Sequence, residues 1–146
     1  MPEALERSPV APDEYSCWLP RHRKSGSAAR RLLRGFLAGL AGGELYVTAG
    51  ELVLTELVNN AVQHARTPPG RLLMVRFELW PRELRVEVHD ASTARPAVQA
   101  AGPDDERGRG LWLVEQLTTG WGCGPREGGI GKLVWAAIAP AAGDAE

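Results

Sequence analysis

Apolar residues recur along this chain in two periods, and the switch between them lays out the predicted elements. From Ser27, "AARRLLRGFLAGLAGG" carries leucines and Phe36 at helical spacing and closes on Gly42 and Gly43, which predicts a helix with Ser27 as its N-cap. A second helix is predicted from near Glu44 through "ELVLTELVNNAVQHA" at 51 to 65, ended by Pro68 and Pro69 of "RTPPG". Beyond those prolines the period shortens to two. "RLLMVRFELW" and "LRVEVHD" read as strands, the latter alternating Leu84, Val86 and Val88 with Arg85, Glu87 and His89. The short connection "PRE" at 81 to 83 makes them a hairpin.

Upstream, "YSCWL" at 15 to 19 predicts a short first strand, after a disordered leader of residues 1 to 13 rich in Pro and charge. Residues 91 to 107, "ASTARPAVQAAGPDDER", follow neither period and are long for a plain connection, as functional or mobile loops are. A third helix from about Arg109 to Leu117 and two strands around a glycine-rich turn, the last being "KLVWAAI", complete the pattern. A single domain at 14 to 139 and a fraying tail at 140 to 146 are expected. The order β, α, α, β, β, loop, α, β, β implies an α/β two-layer sandwich, with helices on one face of a mixed sheet.

The second helix contains two adjacent asparagines, each unfavourable by about half a kcal/mol relative to alanine. On a helical wheel Val53, Leu54, Leu57, Val58, Ala61 and Ala65 share one broad arc, and Thr55, Glu56, Asn59, Asn60 and Gln63 the other. Asn59 lies in the middle of the polar arc, where solvation accounts for it. Glu56 and Asn60 are stacked one turn apart at its edge against the apolar side, which solvation explains less well. His64, at the edge of the same helix, is read as packing or hydrogen bonding structurally.

Composition alters little. With 146 residues, 17 basic and 18 acidic, the net charge is −1, which gives no global electrostatic case for nucleic acid or an anionic membrane. Cys17 and Cys123 belong to no metal-like spacing and are expected to be reduced thiols. No stretch approaches the ~18 apolar residues of a spanning helix, so a soluble cytoplasmic protein is expected.

Two glycine motifs fail on inspection. "GIGKL" at 129 to 133 ends like a P-loop, but Arg126 stands where its first glycine would be and Leu133 where its magnesium-binding hydroxyl would be. "GRGLWL" begins like a dinucleotide fingerprint, but Leu113 takes the third glycine position and the motif follows a loop. What remains is a glycine-flanked helix mouth at Gly108 to Gly110, whose backbone N–H groups suit phosphate but serve entry turns as often. Asp90 closes an alternating strand where the long loop starts. Its carboxylate could accept from an exocyclic amine or simply begin a turn.

Taken in order, "ELVNNAVQHA", "VEVHDAS", "GRGLWLVEQL" and "GKLVWAAI" resemble the N-box, first glycine box, second glycine box and closing strand of the GHKL, or Bergerat-fold, ATPases. The closest likeness is to their small anti-sigma-factor serine/threonine kinase branch, over roughly residues 15 to 138. The resemblance implies a Bergerat ATP-binding fold with residues 91 to 107 as ATP lid, and Mg-ATP as cofactor. Asn60 would hold the magnesium, an oxygen ligand for a hard cation. Glu56 would be the general base toward a protein serine hydroxyl, and Arg30 would reach the γ-phosphate. Asp90 would recognise adenine. Gly108 and Gly110, with Arg109 and Leu111 beside them, would bring backbone amides to the phosphates, and Lys132 would stand near the adenine aspartate. The implied partners are an anti-sigma-factor antagonist protein and a sigma factor, with the chain as a homodimer and no nucleic acid or membrane bound directly.

Three positions depart from the family pattern. Ser92 stands where the first box often has glycine, Lys132 replaces a threonine after Gly131, and Trp112 is bulky for a helix behind phosphates. A kinase for a small antagonist protein and a non-catalytic module of the same fold, binding nucleotide or only a partner, both remain open. A third reading, a phosphoacceptor-histidine kinase core or another ATPase, calls for a dimerisation helix bearing an acceptor histidine ahead of the domain, and none is expected in the residues before it.

Overall fold

The computed structural model describes residues 11–64, 72–90, 106–125 and 131–142. Its elements are β1 (Asp13–Pro20), α1 (Ser25–Ala38), a 3-10 turn (Gly43–Tyr46), α2 (Val47–His64), β2 (Leu72–Trp80), β3 (Glu83–Asp90), α3 (Glu106–Leu117), β4 (Gly120–Pro125) and β5 (Lys132–Ile138). The strands form one five-stranded sheet in the order β1-β2-β3-β5-β4. All four pairings are antiparallel, so the expected mixed sheet is corrected. Period-two patterning gives faces and not strand direction, which is why the sequence left this undetermined.

The helices cover one face, as expected. Leu73, Val75, Phe77 and Leu79 of β2 and Leu84, Val86 and Val88 of β3 are buried there with Ala29, Leu33 and Leu37 of α1 and Val53, Leu54, Leu57, Val58 and Ala61 of α2. Each valine, leucine or phenylalanine among them contributes roughly 1.5–3 kcal/mol on burial. Tyr15, Phe36 and Phe77 add an aromatic cluster with ring centroids 5.7 to 6.3 Å apart, which ties α1 to the first two strands.

Several boundaries differ from the sequence expectations. α1 begins at Ser25 with Lys24 as N-cap and no side-chain cap, so Ser27 is not the cap. It ends at Ala38, and Gly42 and Gly43 instead enter a 3-10 turn before α2. β1 reaches from Asp13 to Pro20, wider than 15 to 19, and claims the last residue of the expected leader. The tail is tied down at its start, where the Ala141 N–H donates to the Leu45 carbonyl at 2.9 Å. α3 starts at Glu106, taking the last two residues of the expected lid; the rest of that loop, Ser92, the "RTPPG" segment, the glycine-rich turn and the leader up to residue 10 lie outside the described residues.

The outer face of the sheet is polar at its centre. Arg85 Nε donates to Glu87 Oε2 at 2.7 Å, and His89 Nε2 lies 2.8 Å from Glu87 Oε1. Arg85 also stacks on Trp135, 4.8 Å from the ring centroid. Glu87 is only 7% exposed. Burial pushes its carboxyl up, but hydrogen bonds and charge from His89 and Arg85 outweigh that and hold it below the ordinary range.

A carboxyl depressed in the folded state contributes stability that is fully present above its unfolded pKa and is lost as pH falls through the folded value. Glu87→Gln should therefore be less stable than wild type at neutral pH by about 1 kcal/mol. In urea unfolding the difference should shrink as the buffer is acidified below the ordinary carboxylate range. A difference independent of pH would refute this account of Glu87.

Candidate functional site

Packing against the sheet fixes how α2 is rotated, and that rotation presents Glu56 to a cleft between α1 and α2. The cleft, about 480 Å³, is lined by Arg30 and Arg34 of α1 and by Val47, Thr48, Glu51, Leu52, Thr55 and Glu56 of α2. Two residues expected to act together, Glu56 and Arg30, thus share one cavity. Glu56 is half-buried, and burial pushes its carboxyl above the ordinary range. A carboxylate poised in this way is a better base than one in water.

On its other side Glu56 meets α3. A Cβ added to Gly110 would collide with Glu56 Oε1, so the absence of a side chain at 110 is what lets the carboxylate sit against that helix. This reason for the glycine was not legible in "GRG". The helix-mouth expectation also changes. Because α3 begins at Glu106, Gly108 and Arg109 fall in its first turn, where N–H groups lack intrahelical acceptors, while Gly110 follows that turn. Backbone amides at 108 and 109 suit phosphate, and Gly110 serves Glu56. The Leu111 side chain is buried in the core, so any contact with a ligand falls to its backbone. Trp112 is 54% exposed and points away from the core.

Asn60 follows Glu56 by one turn on α2 and is half-buried. Its neighbour Asn59 is not solvated filler. A Cβ on Gly26 would lie 2.6 Å from Asn59 Oδ1, so Asn59 packs against the start of α1 across a close helix approach. A wheel of one helix does not contain the neighbour that covers its polar arc.

Asp90 and Lys132 meet in the sheet. β3 and β5 pair with Asp90 opposite Lys132, and both side chains are on the helix-covered face, 3% and 5% exposed. Both are engaged in interactions. The structure therefore groups Arg30, Glu56 and Gly110 by contact or shared cavity, and Asp90 with Lys132 by register.

Sequence reasoning missed Arg34 and Glu51. Arg34 Nε and Nη2 donate to Glu51 Oε2 and Oε1, each at 2.8 Å, closing α1 onto α2 beside the cleft. The signal that could have found them was spacing. Arg30 and Arg34, like Glu51 and Thr55, are four apart on facing helices.

The cleft itself brings Arg30 and Glu56 together, while Asn60, Asp90 and Gly110 do not line it. Taken singly, the strand-end carboxylate of Asp90, the amides at 108 and 109, the Arg30 guanidinium and the Asn60 amide oxygen are the donor and acceptor types a nucleoside triphosphate would take. A magnesium ion would be held by Asn60 together with the phosphates, as a small hard cation that keeps few protein ligands. Among the described residues no helix is long and apolar enough to cross a membrane.

Comparison with known proteins bears on the same stretch of chain. The chain aligns over 94% of its length with 67% of the histidine kinase domain from the Erythrobacter litoralis EL346 blue-light activated histidine kinase, at 19% identity and a TM-score of 0.47. A search of curated proteins found no match. The family model for the histidine kinase-like ATPase domain matches residues 20–135, from the end of β1 into β5, and takes in every candidate site residue. The five-stranded antiparallel sheet, its helical layer and that match place the chain in the histidine kinase-like ATPase domain family, an ATP-binding, kinase-like domain.

Proposed function

We propose that this domain is an Mg-ATP-dependent serine/threonine kinase of the anti-sigma-factor type. It phosphorylates a small antagonist protein and, when free of it, sequesters a sigma factor, acting as a homodimer in the cytoplasm. The observation that carries this reading is Glu56. A desolvated carboxylate shares a cleft with Arg30 and stands one turn from Asn60, so base, phosphate cation and metal ligand are mounted on two packed helices.

Bound Mg-ATP supplies the γ-phosphoryl group. The chain's own task is positioning and charge neutralisation. Glu56 accepts the proton of the incoming serine hydroxyl, and its raised proton affinity suits that transfer. Asn60 supplies an oxygen to the cation. Arg30 balances the phosphate charge from across the cleft, the amides of Gly108 and Arg109 offer hydrogen bonds to the phosphates, and Asp90 accepts from the adenine amine.

A second reading has a specific motivation. Lys132 replaces the hydroxyl residue that the kinase pattern places beside the adenine aspartate, and it stands directly opposite Asp90. A buried cation there favours a module that holds nucleotide or a partner without transferring phosphate.

The deciding experiment incubates the protein with γ-labelled ATP and candidate antagonist proteins from the same genome. Transfer of label that disappears in Glu56→Ala while calorimetry still detects ATP binding supports the kinase; binding without any transfer favours the module. Asn60→Ala should weaken Mg-ATP, and unchanged affinity would remove it as metal ligand. Asp90→Ala should weaken ATP far more than inorganic triphosphate, and equal losses would remove the adenine role.

Gly110→Ala tests the cradle. The added methyl displaces a flexible carboxylate end, so the fold should survive, with an unchanged unfolding midpoint, while transfer falls by about tenfold or more. Wild-type transfer would show that Glu56 needs no such close approach.

Because the base must be ionised, kcat/KM should rise with pH through an acid limb lying above the ordinary carboxylate range. Rates flat down to pH values where free glutamate protonates would argue against Glu56 as the base.

A further inference from the structure

Arg30 and Arg34 are one turn apart on α1 and line the same cleft as one carboxylate, that of Glu51 on α2. Arg34 occupies it fully, with two hydrogen bonds of 2.8 Å, one to each oxygen. Arg30 instead donates from Nη2 to Ser27 Oγ on its own helix, at 3.2 Å. Its charge nevertheless reaches Glu51. The Arg34 hydrogen bond holds the Glu51 carboxyl below its ordinary range against the upward push of burial, and the charges of Arg34 and Arg30 add to that effect. A guanidinium one turn away, about 5.4 Å along the helix, is within reach of the same anion.

We propose that Arg34 is a positioning residue for Arg30: by filling both oxygens of Glu51 it keeps the Arg30 guanidinium from being captured there and leaves it for the Glu56 end of the cleft. This rests on the reading of the cleft as a phosphoryl-transfer site. A staple for stability is a poor explanation of the pair, because the Arg34 side chain is 63% exposed and water screens such a bond. The geometry suits occupancy. The fork of a guanidinium covers two carboxylate oxygens at once, whereas a lysine would cover one and leave the other open to Arg30. The device also leaves Glu56 alone, because Glu51 and not the base is the anion that holds a cation.

Two measurements test this, one of which needs no activity. In transfer assays Arg34→Ala should lower kcat by about tenfold or more with a much smaller change in the KM for ATP. Glu51→Gln removes the competing anion, so Glu51→Gln alone and Arg34→Ala combined with Glu51→Gln should both stay within about threefold of wild type. If the pair is only a staple, the double variant stays as impaired as Arg34→Ala, and that result overturns the proposal.

The second measurement follows the Glu51 carboxyl through a pH titration by carbon-13 NMR. In Arg34→Ala the carboxyl should remain below its ordinary range because Arg30 takes the vacated place, and it should return to that range only when Arg30→Ala is added. A return in Arg34→Ala alone shows that Arg30 is no competitor and overturns the proposal. Should wild-type protein transfer phosphate to no partner, the kinase reading fails while this titration still decides the relation among the three side chains.

Discussion

One degree of freedom governs this molecule, the rotation of α2 about its own axis. Val53, Leu54, Leu57, Val58 and Ala61 are all buried against the sheet and the neighbouring helices, and together they remove that freedom. Turning the helix to expose any one of them would return apolar surface to water, at about 25 cal/mol for each Å². With the angle set, Glu56 and Asn60 have no choice of direction. The core therefore decides where the acid and the amide point, and the placement of the candidate chemistry follows from packing that has no chemical function.

That arrangement places a carboxylate partly out of water, which opposes ionisation unless something offsets it. Glu56 shows the opposition plainly, because burial raises its pKa. Close approach of the helices sharpens the effect. Gly110 admits the carboxylate to the surface of α3, and Gly26 admits Asn59 to the start of α1, so α2 is flanked on both sides at van der Waals distance. At Gly110 an added side chain would meet the Glu56 carboxylate itself, so the glycine and the buried position of that carboxylate belong to one contact. Packing, desolvation and basicity are thus aspects of one local geometry.

Much of this was legible in the sequence because it depended on periods. The alternation of Leu84, Val86 and Val88 with charged neighbours gave both faces of β3, and the three-to-four spacing of α2 gave its buried arc. The element order and the helical layer on one face followed. What escaped depended on contacts between elements. Antiparallel pairing of every strand, the packing of Asn59 against Gly26 and the fork between Arg34 and Glu51 all require two segments distant in the chain, and no single window contains both. Ser27 was a reasonable N-cap by residue type, yet the helix starts two residues earlier, and Ser27 Oγ instead accepts from Arg30. Glu56 was legible as an edge residue, but its shift needed the third dimension.

Strand ends carry a further lesson. On the helix-covered face, β3 runs apolar through Leu84, Val86 and Val88 and then reaches Asp90, while β5 begins at Lys132 and runs apolar through Val134, Ala136 and Ile138. Antiparallel register brings the two breaks in pattern together, so that opposite charges stand abreast at one end of an otherwise apolar surface. Burying either alone would be costly, and side by side each lowers the cost of the other. A sheet built for stability alone would continue the apolar pattern to its edge. The departure is confined to the end of β3 where the carboxylate stands, in a protein whose local choices otherwise agree, and it is there that the apolar pattern gives way to a pair of buried charged residues.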